Sequence, residues 1–256
     1  MMDRQGDSSP KTRSDDRAVS EVVAFVLIFG MILVSVGLLY TVGFQAMHDY
    51  QENEQLKNAE RAMDALSDNF NDVLRYSGVD QRYGEISMRE GTVTTSGDGT
   101  TVYVEIGDGD LSDYDGFSNF TDDNDRINLG EFRYHDGGES VAYEGGGLVR
   151  ADDTGSAVLK QPRISCNEGT AIISLVSITG GDHSIQSSEG LGVTMDVQDR
   201  HSTVVQNPGN VTITHSHDSS YDRAWNSALD SNGWVDGNCE EPERLVVTIV
   251  EAEITF

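Results

Sequence analysis

The 256-residue chain carries 44 Asp and Glu against 17 Lys and Arg, a net charge of −27. With 37% hydrophobic and 24% charged residues it is too ordinary in composition for a fully disordered acidic chain. A surplus of that sign excludes a nucleic-acid binder that works through whole-molecule attraction, because phosphates are repelled.

Lysine occurs only at Lys11, Lys57 and Lys160, and Asp outnumbers Glu. Such a surface stays hydrated in concentrated salt, where the Debye length falls to about 3 Å at 1 M and self-repulsion is screened. The composition therefore predicts a salt-adapted, halophilic protein. The charge is unevenly placed. Residues 1–18 balance four bases against four acids, residues 48–76 hold seven acids and three bases, and residues 77–256 hold 32 acids and 10 bases.

The first 18 residues are polar, rich in Ser and Asp and without periodicity, so they read as a disordered leader. From Val22 to Met47 there is no acidic or basic side chain. About 20 such residues cross a hydrocarbon core of about 30 Å, and a secretory signal's apolar core is only about 7–15 residues. The run is apolar on every face, which argues against a buried core helix. Residues 19–47 are therefore expected to be a transmembrane helix. Four bases precede the span and the next is Lys57, so the positive-inside rule puts the N-terminus in the cytoplasm and the acidic bulk outside.

At the junction stand Asp16-Arg17-Ala18-Val19-Ser20-Glu21-Val22-Val23. A charged residue, a small residue and an immediate long apolar helix resemble the class III signal of archaeal type IV pilins and archaellins. More closely, RAVSEVVAFVLIFG resembles the R-A-x-S-E-V-V-G-F start of uncharacterised haloarchaeal pilin-like membrane proteins. The resemblance implies that a prepilin peptidase recognises Arg17, cuts after Ala18 and frees Val19 as the new N-terminus. It also implies that pilin-like subunits are partners, alongside membrane lipid. The chain departs from the commoner Ser-Pro-Val-Ile-Gly pattern, having Ser20-Glu21-Val22-Val23-Ala24. A carboxylate at the apolar boundary wants a positive partner. For Glu21 that is the α-amino group of a neighbour's Val19 if the leader is removed, or Arg17 at the membrane interface if it stays. Glu21 is thus an assembly or anchor residue, not a catalytic one.

Beyond the membrane, Leu56, Ala59, Met63, Leu66, Phe70 and Val73 step by threes and fours, which predicts an amphipathic helical extension over 48–78. It either lies against its own head or forms a seam between subunits, and the undemanding Ala59 and Met63 favour the first. Tyr76-Ser77-Gly78 is expected to end it, with Gly78 in a left-handed cap.

From residue 84 the period changes to two. Ile86 and Met88 alternate, Ser96-Gly97-Asp98-Gly99 reads as a hairpin turn, and Val102, Val104 and Ile106 form the returning strand. Further strands are expected at 132–134, 140–143, 148–150, 157–159, 171–178, 191–197, 211–214 and 245–256, with one helix over 219–230 capped by Ser219 or Ser220 and stopped at Gly233. The fold class is α+β: a long N-terminal helix, then a mainly antiparallel, sandwich-like β head over 79–256 with a short helix near the C-terminus. Tyr143-Glu144-Gly145-Gly146-Gly147 and the Tyr221–Trp225 helix look like the head of the same haloarchaeal group.

Cys166 and Cys239 are the only cysteines. In an oxidising exterior they pair, and otherwise they are two partly buried thiols. Asn119-Phe120-Thr121 and Asn210-Val211-Thr212 match the N-glycosylation acceptor pattern, with Asn119 in the more polar loop. His215, His217 and Asp218 are a weak metal motif, short of a full ligand set. The acids between Asp108 and Glu131 lack EF-hand spacing. No catalytic motif, nucleic-acid partner or cofactor is called for. Two functions remain: a pilin-like cell-surface protein with an anchoring and assembling helix, or a single-pass envelope protein that never assembles and carries a binding or structural head.

Overall fold

In the computed structural model, which describes residues 15–87, 91–167, 169–186, 190–216 and 220–256, the chain divides between Glu54 and Gln55 into two units. Helix α1 (Asp15–Phe70) runs through that boundary.

In the first unit, Ser20–Phe44 is long and apolar enough to cross a membrane, and none of its most apolar window is buried. Two polar side chains inside it satisfy themselves. Ser35 Oγ donates to the carbonyls of Met31 (2.6 Å) and Ile32 (3.0 Å), and Thr41 Oγ1 to those of Gly37 (3.1 Å) and Leu38 (3.0 Å). Hydroxyls tied back into their own helix can enter hydrocarbon without leaving a donor orphaned. The helix begins at Asp15, inside the segment expected to be a disordered leader; residues 1–14 lie outside the described residues.

The second unit begins with the rest of α1 and continues through α2 (Asp72–Arg75) into what are, among the described residues, sixteen strands. The first eight are β1 (Gln81–Ser87), β2 (Thr92–Ser96), β3 (Thr101–Ile106), β4 (Gly109–Asp110), β5 (Arg126–Asn128), β6 (Glu131–Asp136), β7 (Glu139–Glu144) and β8 (Gly147–Asp152). They are followed by β9 (Gly155–Lys160), β10 (Arg163–Asn167), β11 (Thr170–Thr179), β12 (His183–Gln186), β13 (Gly190–Gln206) and β14 (Val211–His215). Helix α3 (Asp222–Ser231) precedes β15 (Asn238–Cys239) and β16 (Arg244–Thr255). One sheet has the order β1-β13-β16-β11-β10, a second β12-β2-β6-β7-β8-β9, and a third β15-β14-β3-β4 with β5 paired to β3. Pairing is antiparallel except between β11 and β16. The fold is the expected α+β arrangement, with a β-rich head built of layered sheets.

The stripe on the first helix is fully used. Leu56, Ala59, Met63, Leu66, Phe70 and Val73 are all buried, in one cluster with Ile86, Val193 and Ile254 of the first sheet and Phe132, Tyr143 and Leu148 of the second. The helix therefore lies on its own head, as its undemanding seam residues suggested. A second cluster joins the first sheet to the third and to α3, with Trp234 wholly buried. Scarce cations fasten the helix to the head. Lys160 Nζ lies 2.6 Å from Asp64 and 3.0 Å from Asp68, while Arg150 bridges Glu60 (3.1 Å) and Glu139 (2.9 Å).

Four local expectations are corrected. Ser96–Gly99 is not a hairpin turn: β2 pairs with β6 and β12, whereas β3 pairs with β14, so the segment passes between sheets. The helix breaks at Asn71 and ends at Tyr76 in extended backbone (φ −129°), so Gly78 is no left-handed cap. Helix α3 is capped by Tyr221 rather than Ser220; Ser219 lies outside the described residues. Strand β13 runs nine residues past the expected Val197, because its second half is too polar to signal a buried face.

Candidate functional site

The head's polar centre forms where the Tyr143-Glu144-Gly145-Gly146-Gly147 segment meets the helix break at Asn71 and helix α3. Strand β7 is half-buried at Glu139 and Ser140 and wholly buried over its last four residues. Gly145 (φ +60°) and Gly146 (φ +87°) then reverse the chain into β8, with Glu144 opposite Gly147. A positive φ at two successive positions is what a tight hairpin turn demands and what glycine supplies without steric cost.

Tyr143, Glu144 and Gly146 each make a different attachment. Tyr143 Oη donates to Asn71 Oδ1 (3.0 Å), and Asn71 Nδ2 donates to the Gly146 carbonyl (2.9 Å), so the turn is tied to the helix break. The Glu144 carboxylate, with no exposed surface, accepts from Thr100 N (2.5 Å), Thr100 Oγ1 (3.1 Å) and Trp225 Nε1 (2.9 Å). Burial pushes the Glu144 carboxyl up to about 7, against the opposing pull of the three donors and with the nearby Glu131 adding to the rise. Glu131 accepts from Tyr221 Oη at 2.5 Å and lies 3.3 Å from Arg133. Burial, with Glu131 beside it, pushes the Tyr221 phenol up as well. A cleft of about 300 Å³, lined by Asp98, Gly99, Glu131, Arg133, Ser216, Ser220 and Tyr221, opens over this centre. The arrangement binds the two motif segments to each other through a carboxyl group that changes charge near neutrality.

The residues singled out from the sequence are scattered. Arg17, Ala18 and Val19 lie in the first turns of α1, and Glu21 is exposed. Cys166 and Cys239 form a disulfide, with Cα atoms 5.7 Å apart. Asn119 is exposed in the turn-rich segment before β5; Asn210 is exposed too, but its Oδ1 accepts from Glu241 N at 3.2 Å.

His215 does not point to solvent. Its side chain is 3% exposed, with Nε2 3.3 Å from the Asp222 carbonyl and 3.6 Å from Asp222 Oδ1. His217 and Asp218 lie outside the described residues. Among the described residues, no three His, Cys, Asp or Glu side chains gather as a metal site.

The Asp-rich stretch is spent on its own turns. Asp113 Oδ2 accepts from Asp110 N (3.1 Å), Asp125 accepts from Ser112 Oγ, and Asp122 Oδ1 accepts from Asn124 N (2.8 Å) and Arg126 N (3.0 Å). The Arg126 and Asn124 amides hold the Asp122 carboxyl below its usual range. Asp110 also takes the Tyr103 hydroxyl at 2.5 Å, a bond that, with burial and nearby acids, raises that phenol to about 12.

Sequence reasoning missed the Glu144 centre. A single acid ending the apolar run Val141–Tyr143 is its local signal, but its partner Trp225 stands 81 residues away. A family model described as a family of unknown function (DUF7289) matches residues 17–255. No curated protein and no solved structure matches the chain.

Proposed function

The chain belongs to the DUF7289 family, and we propose that it is a pilin-like cell-surface protein, anchored and assembled through its N-terminal helix and presenting an acidic β head outside the cell. The observation that carries this reading is the contrast along α1. From Leu56 onward its apolar stripe is buried in the head, whereas Val22, Phe25, Leu27, Met31, Leu39 and Phe44 are each at least half exposed. An apolar helix of that length is unstable in water and equally at ease in lipid or against copies of itself. It can therefore be stored in a membrane and moved into a filament core. The head, whose own helix stripe is already covered, needs no such partner.

Arg17 and Ala18 mark the processing point, Val19 the mature N-terminus, and Glu21 the acid that a neighbour's α-amino group would neutralise. The base count supports a cytoplasmic leader, and the acidic, lysine-poor composition supports adaptation to concentrated salt. One observation favours the alternative of an uncleaved, non-assembling anchor: α1 already runs through Arg17-Ala18-Val19, and a peptidase needs that backbone unwound.

Mass spectrometry of the mature protein from cells with active prepilin peptidase decides between them. A start at Val19, lost when Ala18 is replaced by a bulky residue, is the expected result. An intact leader overturns the pilin reading and leaves the anchored envelope protein.

A further inference from the structure

The covered side of β13 ends halfway along it. Strand β1 pairs with Gly190–Asp196 only. Past that pairing, Val197 N donates to the Asp80 carbonyl (2.8 Å) and the Arg200 guanidinium to the carbonyls of Ser77 and Val79 (2.6 Å each), while the His201 ring stands edge-on to Phe117 at 4.6 Å. Beyond them β13 continues to Gln206, paired on its other side with β16. Among the described residues, no strand lies along the outer side of Arg200–Gln206. The burial pattern agrees. His201, Thr203 and Val205 are only half buried, Ser202 and Gln206 are exposed, and Val204 is 52% exposed.

An open edge of this kind is normally blunted by charge, proline or brevity. The other edges of the first two sheets are managed. Strand β1 carries Glu85 and an Arg82–Asp72 ion pair (3.0 Å), β10 gives its Cys166 amide to the Asn232 carbonyl, β9 packs on α3, and β12 is four residues long. Arg200-His201-Ser202-Thr203-Val204-Val205-Gln206 has such a protection only at its start, where Arg200 lies 3.5 Å from Asp80. It contains no acid, although the chain carries −27, and its Thr203-Val204-Val205 core is β-branched.

We propose that Arg200–Gln206 pairs antiparallel with the same segment of a second copy of this chain, across a two-fold axis at Thr203. Even with long-range repulsion screened by salt, carboxylates brought face to face at contact distance oppose association; this acid-free strand is where two copies meet without opposing carboxylates. It offers nothing to select a basic peptide, and no row of cations to select an acidic one. Centring on Thr203 sets Arg200 opposite Gln206 and His201 opposite Val205, so no like charges face each other directly. Seven residues give a contact roughly 20 Å long and extend the first sheet from one head into the next. The contact lies wholly in the head and does not depend on how α1 assembles.

Cysteine scanning of the full-length chain in detergent tests this. Residues directly opposite in an antiparallel pair have Cα atoms about 4.5–5.5 Å apart, within disulfide reach. Under mild oxidation Thr203→Cys should give about tenfold more disulfide dimer than Asp153→Cys, a control on an exposed turn, given how steeply bond formation depends on Cα distance. Peptide mapping should recover the 203–203 link, and adding Val204→Lys at this exposed position should abolish it. Association through the membrane helix would raise both single-cysteine variants alike. Equal yields at 203 and 153, or a 203 dimer indifferent to Val204→Lys, overturns the proposal.

Discussion

Trp225 Nε1 donates to Glu144 Oε2 at 2.9 Å, inside a head where that carboxylate has no exposed surface. The bond joins a hairpin turn to a helix far along the chain, and it makes the indole a reporter of the carboxyl's charge. Burial raises Glu144 from 4.5 to about 7, so the folded head keeps this proton where the unfolded chain has lost it. Its contribution to stability is therefore full below about pH 4.5, declines as pH rises to about 7, and is absent above. The difference is on the order of 3 kcal/mol. Trp225 fluorescence should titrate with a midpoint near 7, and the wild-type chain should melt higher at pH 5 than at pH 8. Glu144→Gln should remove both the midpoint and this pH difference, while melting lower overall because either orientation of its amide sets the NH2 against an N–H donor, that of Thr100 or that of Trp225. A midpoint that survives the substitution assigns the titration elsewhere.

The helix stripe was legible because a 3.5-residue period is written in adjacent turns, and each of its six members is buried as the spacing implies. Many strand positions were legible for the same local reason, but β5, β10 and β12 were not, being short and with little alternation to read. Strand partners were not. The Ser96–Gly99 segment has the composition of a hairpin turn, yet β3 finds β14 more than a hundred residues away, a choice made by the core. The Glu144 centre shows the limit most clearly. Tyr143–Gly147 and Tyr221–Trp225 were both noticed as features of the head, but nothing in either segment says that one supplies the other's hydrogen bond.

Phe70 closes the helix against the head, edge-on to Tyr143 (5.7 Å) and Phe132 (6.2 Å), with no exposed surface. Phe70→Ala removes these contacts and leaves a cavity between layers that cannot collapse independently. It should cost about 3–5 kcal/mol, read by denaturant unfolding of the full-length chain. Asp64→Asn, on the helix's exposed face, should cost under about 1 kcal/mol, because it weakens a partly solvated ion pair with Lys160.

The disulfide ties β10 to β15 across 73 residues of sequence. In the chain-entropy account a closed loop of that length restricts the unfolded ensemble by about 4 kcal/mol. Cys166→Ser with Cys239→Ser should lower stability by up to that amount, and reductant should lower the wild-type melting temperature while leaving the double variant unchanged. Insensitivity of the wild type to reductant would mean that the two thiols do not pair in the native protein.

Gly145 and Gly137 have nearly the same backbone, φ +60° and +58°, but different surroundings. A Cβ at Gly137 would meet nothing within 4 Å, whereas one at Gly145 would sit 2.9 Å from the Trp225 ring and 3.0 Å from Leu129. Gly137→Ala therefore carries only the left-handed backbone strain of about 1 kcal/mol. Gly145→Ala adds displacement of Trp225, and any shift of that ring lengthens its bond to the buried Glu144. It should cost about 2–4 kcal/mol in all, and it should move the fluorescence midpoint upward, because a carboxylate that loses a donor is harder to ionise. Equal costs at the two glycines would show that the turn tolerates a shifted indole, and that Glu144 is held by Thr100 alone.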